Sequence, residues 1–202
     1  MGSLYLVPYR HLLYEGAWID FYVLFLPKRR TMSRGLDYLV VGLNAFFIFS
    51  CVAVERVYCL SPVNPLAEPV SSAFMMAETA DFAKACNPLF LARPAWLRFA
   101  TCISAFCFAP CYLAFMVAFS MGNRALHAIR TPALCFLAVK VYALVSYHGL
   151  VFFGGEAVPP TGAAMAQYWS AEAPYLLGLS LALRRFLALG ACEGSESKTK
   201  TR

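Results

Sequence analysis

Residues 93–132 read RPAWLRFATCISAFCFAPCYLAFMVAFSMGNRALHAIRTP. From Leu97 to Met121 this stretch carries one charge, Arg98, at its mouth. An apolar helix of roughly 20 residues spans a bilayer core. Pro110 sits in the middle, where a soluble helix would usually break. Inside a membrane bundle the freed carbonyl is re-satisfied by neighbouring helices, so the stretch reads as a kinked spanning helix. Thr131-Pro132 then opens a second apolar run, because proline suits a first helical turn.

Working outward, the spans predicted are residues 38–58, 96–120, 131–153 and 171–189, with no β-sheet. Of the 202 residues, 60% are hydrophobic and only 14% charged, against about a quarter charged in a soluble domain. The fold class expected is all-α, a polytopic membrane protein built as a four-helix transmembrane bundle. Residues 1–35 form an N-terminal extension. Within it Gly16–Pro27 is apolar but too short to cross, and Trp18, Tyr22 and the cluster Lys28, Arg29, Arg30 and Arg34 suit an interfacial segment. Residues 36–190 are the four-span domain, and 191–202 are a polar basic tail that would be disordered alone. Between spans one and two the chain is punctuated by Pro62, Pro65, Pro69, Pro88 and Pro94. The piece SSAFMMAETADFAKA reads as one short helix capped by Ser71 or Ser72. The segment GGEAVPPTGAAMAQ before span four is turn chemistry, and Pro174 falls in that span's first turn.

Charge sets the orientation. Arg10, Lys28, Arg29, Arg30, Arg34, Arg124, Arg130, Arg184, Arg185, Lys198, Lys200 and Arg202 fall on one side of the predicted membrane. Lys84, Arg93 and Arg98 fall on the other. Both termini are therefore expected on the cytoplasmic side, or the matrix side of a mitochondrial inner membrane. The net charge of +6 comes from the chain ends and speaks of topology and lipid headgroups, not nucleic acid.

Cys51, Cys102, Cys107, Cys111 and Cys135 lie inside predicted spans, where small residues serve helix packing. Cys59 and Cys86 share a loop and are the pair available to an oxidising compartment. No His/Cys/acid cluster has metal spacing, no Gly-rich phosphate loop is present, and no catalytic set or cofactor site emerges. His148 reads as a satisfied interfacial polar group. Two charges inside spans stand out: Glu55, late in span one, and Lys140, in the middle of span three. Such charges face a bundle interior or a water-filled cavity. At 1.5 Å per residue in parallel helices their backbones differ by roughly 11 Å in depth. They are therefore expected to couple weakly, with Lys140 on a carbonyl, a hydroxyl or a lipid phosphate.

Pro94-Ala95-Trp96, the mid-span Pro110, Ile129-Arg130-Thr131-Pro132-Ala133 and Ala173-Pro174-Tyr175-Leu176-Leu177, in that order and spacing, resemble the EXPERA-domain family. The resemblance covers roughly residues 36–190 and is nearest to the sigma-2-receptor branch. The emopamil-binding branch of sterol isomerases is more distant. It implies a four-helix bundle around an intramembrane pocket for sterols or amphiphilic amines, with cytoplasmic termini. The family's acid late in span one falls within one position of Glu55. Its Asp-Pro-Leu before span two reads Asn87-Pro88-Leu89 here, and its glutamate inside span two aligns with Ser104. The pocket implied is lined by Glu55, Asn87, Ser104, Lys140 and Tyr175, poorer in acids than the family's.

Two functions follow as expectations. The first is a non-catalytic EXPERA-like accessory subunit of a larger membrane complex, such as the mitochondrial respiratory chain or ATP synthase, with lipids and other membrane subunits as partners. It is motivated by the depleted pocket and the N-terminal extension. The alternative is a sterol- or lipid-binding protein of the endoplasmic reticulum, motivated by the family and by Lys198 and Lys200, whose placement resembles a dilysine retrieval signal. Sterol isomerase is a more distant reading, because no residues that donate and take up a proton were identified.

Overall fold

The computed structural model describes residues 34–155 and 158–200. The interfacial segment expected at 16–27 lies outside the described residues. Seven helical elements follow in order: α1 Arg34–Leu60, α2 Met76–Cys86, α3 Leu89–Ala92, α4 Ala95–Met121, α5 Asn123–Ala128, α6 Arg130–Phe153 and α7 Ala163–Lys200. No strand occurs among the described residues. Helices α1, α4 and α6 are long and apolar enough to cross a membrane. The apolar stretch of α7 also carries Glu172, Arg184 and Arg185.

Pro110 is accommodated within α4 itself. Ser104–Phe108 forms a π-helical turn, and the Ala109 amide reaches back to the Ser104 carbonyl. In a regular helix the proline ring would press on the carbonyl four residues earlier and leave it unbonded. The wider turn provides slack ahead of Pro110 within the helix itself. Helix α1 has a π turn of its own, Cys51–Glu55, without a proline. The two π turns meet: Cys51 Sγ lies 3.8 Å from Ser104 Oγ.

At one end of the molecule Val40, Phe115, Phe119, Leu126, Leu137 and Phe186 form a buried cluster. Beside it lies a buried ion pair. Arg185 donates through Nε to Asp37 Oδ1 at 2.9 Å and through Nη2 to Asp37 Oδ2 at 3.2 Å. Nη2 also donates to Asn123 Oδ1. Both charged residues are buried. Arg185 thus ties α7 to α1 and to α5, which the charge count, reading it only as a cation on one side of the membrane, did not bring out. Its planar fork finds three acceptors in one place, the two Asp37 oxygens and Asn123 Oδ1. Asn44 is satisfied within its own helix, donating to the Val40 carbonyl at 2.7 Å.

At the other end the segment 61–93 folds over the helices, burying Leu66, Met76, Ala80 and Leu89 against Tyr58, Val151 and Tyr168. Arg93 donates to the carbonyls of Tyr58 at 2.6 Å and Ser61 at 2.7 Å. Arg98 donates to the Cys59 carbonyl at 3.1 Å. These are carbonyls at or just beyond the C-terminus of α1, where cationic donors are favourable. Cys59 is joined by a disulfide to Cys102 of α4, with Cα atoms 5.0 Å apart. The Cys59–Cys86 pairing considered from sequence is not formed, and Cys86 is a buried free thiol. The pairing is a matter of which partner the end of α1 meets. It packs on the first turns of α4, so a cysteine assigned to packing becomes the partner.

The short helix of this loop is present, but its serine cap is not. Met75, in the left-handed region at φ 64°, precedes it with no side-chain cap. Ser71 instead accepts from the Ala73 amide in the preceding turn. Helix α7 starts at Ala163, earlier than expected, so the end of GGEAVPPTGAAMAQ is helical and Pro174 is interior. It also runs on to Lys200, through most of the tail read as disordered, since no proline follows Pro174 to stop it.

Candidate functional site

A cavity of about 380 Å³ lies among α1, α4, α6 and α7 under α2. Its walls are mostly apolar, from residues such as Val54, Phe82, Leu97 and Leu144. Each π turn supplies one polar residue, Glu55 from α1 and Ser104 from α4, beside Ser50 and Thr101 of the same helices. A π turn rotates the residues that follow relative to a regular helix and often sits at functional sites. Helix α6 contributes Lys140 and Tyr147, and α7 contributes Glu172 and Tyr175. The cavity lining also includes Phe46 and Phe49 of α1, both substantially exposed, and the exposed Glu78 of α2.

Four of the residues expected from sequence therefore line one space: Glu55, Ser104, Lys140 and Tyr175. Asn87 does not line it. It is fully buried behind the wall and donates through Nδ2 to Tyr147 Oη at 2.5 Å. Tyr147 in turn donates to Glu172 Oε1 at 3.4 Å, so Asn87 reaches the cavity through the tyrosine.

Among the described residues Lys140 meets ring faces where a carbonyl or hydroxyl was expected. Its Nζ sits over three aromatic rings, at 5.0 Å from the centroid of Phe108, 5.6 Å from Tyr112 and 5.5 Å from Tyr175. Ring faces carry negative potential and hold a cation at this range. The cage is braced from behind. Tyr175 stacks on Phe47 at 4.7 Å and donates to Ser50 Oγ at 2.8 Å. No ion pair joins Glu55 to Lys140 among the described residues, and Glu55 Oε2 is buried with no hydrogen-bond partner.

Glu172 is the residue that sequence reasoning missed. It is buried, three positions before Tyr175 and so on the same helical face. An acid at the mouth of an apolar run beside Pro174 was the available signal, because such an acid is expensive unless it faces an interior. His148 lies outside the cavity. Its Nδ1 is 2.7 Å from Tyr168 Oη, while its Nε2 is buried without a partner, so the expected satisfaction is only half met. Among the described residues no group of His, Cys, Asp and Glu is placed to hold a metal.

No protein-family model, curated protein or solved structure matches the chain.

Proposed function

We propose that this chain is a four-span integral membrane protein that binds a sterol- or lipid-like amphiphile within the bilayer. One observation carries the reading: the cavity of about 380 Å³, apolar-walled, with a few polar groups gathered in it. Small-molecule sites run from about 300 to 1,000 Å³ with this kind of lining. The fourth crossing is α7. Its charges argue against a span by composition, but Glu172 turns into the cavity and Arg185 is neutralised by Asp37, which leaves Arg184. With α7 as a crossing, the positive-inside count puts both termini on the cytoplasmic side. The Cys59–Cys102 disulfide then falls at the opposite face, which suits the lumen of the endoplasmic reticulum.

The accessory-subunit reading drew its strength from a pocket short of acids. Glu172 and Glu78 add two carboxylates to Glu55 on that lining, so the binding reading takes precedence. The test is saturable binding of radiolabelled cholesterol to the purified protein in phosphatidylcholine nanodiscs, compared with Ala143→Phe, which fills the cavity from α6. Saturable binding weakened at least tenfold by the substitution is expected. Non-saturable uptake, or binding unchanged in Ala143→Phe, refutes the reading. Migration near its own mass on a native gel in mild detergent is also expected, where a complex subunit would run with a large assembly.

A further inference from the structure

We propose that Lys140 is the resident occupant of the cavity's cation seat, and that the cavity therefore takes amphiphiles with a neutral hydroxyl head and refuses cationic amines. The inference rests on the reading of the cavity as an amphiphile site.

The seat is complete without a ligand. Three ring faces around one ammonium, with carboxylates nearby, are the chemistry that recognises alkylammonium ions. Here the rings of Phe108, Tyr112 and Tyr175 already hold one, tethered to α6. A ligand amine would have to displace it or sit beside it. Two like charges in an apolar space repel far more strongly than in water.

The hydrogen-bonding groups that remain specify the head. Tyr175 spends its proton on Ser50 and Tyr147 on Glu172. Thr79 donates to the Met75 carbonyl at 2.6 Å, and Thr101 to the Arg98 carbonyl at 2.8 Å. Among the lining groups of the described residues, Glu55 Oε2 is an acceptor with no hydrogen-bond partner, and the Lys140 ammonium is a donor group set against three ring faces. A hydroxyl donates and accepts, and so answers both. An ammonium head donates only, so it answers Glu55 and leaves Lys140 opposed by a like charge. Lys140 is thus a specificity-determining residue, and the cage around it is a means of exclusion.

The experiment uses two probes of one shape, cholesterol and its 3β-dimethylamino analogue, with the full chain in phosphatidylcholine nanodiscs. The wild-type protein is expected to bind cholesterol saturably and the amine at least tenfold more weakly. Lys140→Met empties the seat at similar length. It should tighten the amine at least tenfold, about 1.4 kcal/mol, and weaken cholesterol. Lys140→Arg keeps a cation over the rings and should retain the wild-type preference. Lys140→Gln replaces Lys140→Met if the latter does not fold. Equal binding of both probes by the wild type, or an unchanged preference in the neutral variants, overturns the proposal while leaving the binding reading in place. Absence of saturable binding of either probe to any folded variant overturns the binding reading and this inference with it.

Discussion

Asp37 and Arg185 form a contact that helix placement alone does not require, and breaking it should be costly. Their side chains are 12% and 9% exposed, and the Nε–Oδ1 distance is 2.9 Å. At an effective dielectric of about 20, unit charges about 4 Å apart attract by about 4 kcal/mol. Much of that is offset by desolvation, so the pair itself adds little over a well-packed apolar pair. Removing one partner is different, because the other remains buried and uncompensated, at a cost of about 3–5 kcal/mol. Asn123 still accepts from Arg185 when Asp37 is replaced, which places Asp37→Asn at the lower end, about 3 kcal/mol. Arg185→Met strands the carboxylate and should cost about as much. The double variant strands neither charge, so its loss should fall below that of either single variant, giving a coupling of at least about 3 kcal/mol. The assay is unfolding in mixed micelles, titrated with sodium dodecyl sulfate and followed by circular dichroism. Additive single effects, to within about 0.5 kcal/mol, would show that α7 does not dock on α1 in this rotation and would refute the reasoning.

Further expectations concern packing, the cysteines and the two cavity charges. A Cβ on Gly178 would stand 2.7 Å from the Phe47 ring, which is itself stacked on Tyr175; Gly178→Ala should cost about 1–3 kcal/mol in the same assay, and an unchanged midpoint would place Phe47 elsewhere. Non-reducing peptide mapping should recover Cys59 linked to Cys102, and replacing both by serine should cost about 4 kcal/mol for a loop of this size; a Cys59–Cys86 peptide would contradict the arrangement of the loop. Burial, and then the Glu172 carboxylate, hold the Cys86 thiol above its ordinary range, so less of the reactive thiolate forms at a given pH. Its alkylation should need higher pH than a free cysteine's, and Glu172→Gln should shift that profile downward, whereas a profile like that of a free thiol would count against its burial. A cycle of Glu55→Gln with Lys140→Met should give a coupling below about 1.5 kcal/mol, as suits two charges that share a cavity without touching; a larger value would mean that they pair.

The amino-acid sequence by itself determined where the long helices lie. Spans read at 38–58, 96–120 and 131–153 match α1, α4 and α6 within a few residues, because crossing a bilayer is a local property of about 20 consecutive residues. It also brought out Glu55 and Lys140, since charges in apolar runs are conspicuous wherever they point, while Tyr175 and Ser104 came from the family resemblance. Only the tertiary structure decided what each of them meets. Whether Arg185 meets Asp37, whether Cys59 reaches Cys86 or Cys102, and whether Lys140 lands on a carbonyl or hydroxyl or on three rings all depend on how each helix is rotated about its axis. Each residue turns a helix by about 100°, so one inserted position at Cys51–Glu55 or Ser104–Phe108 re-aims every side chain beyond it. Hydrophobicity summed along the chain does not register that rotation, and the packing of one helix against the next sets it.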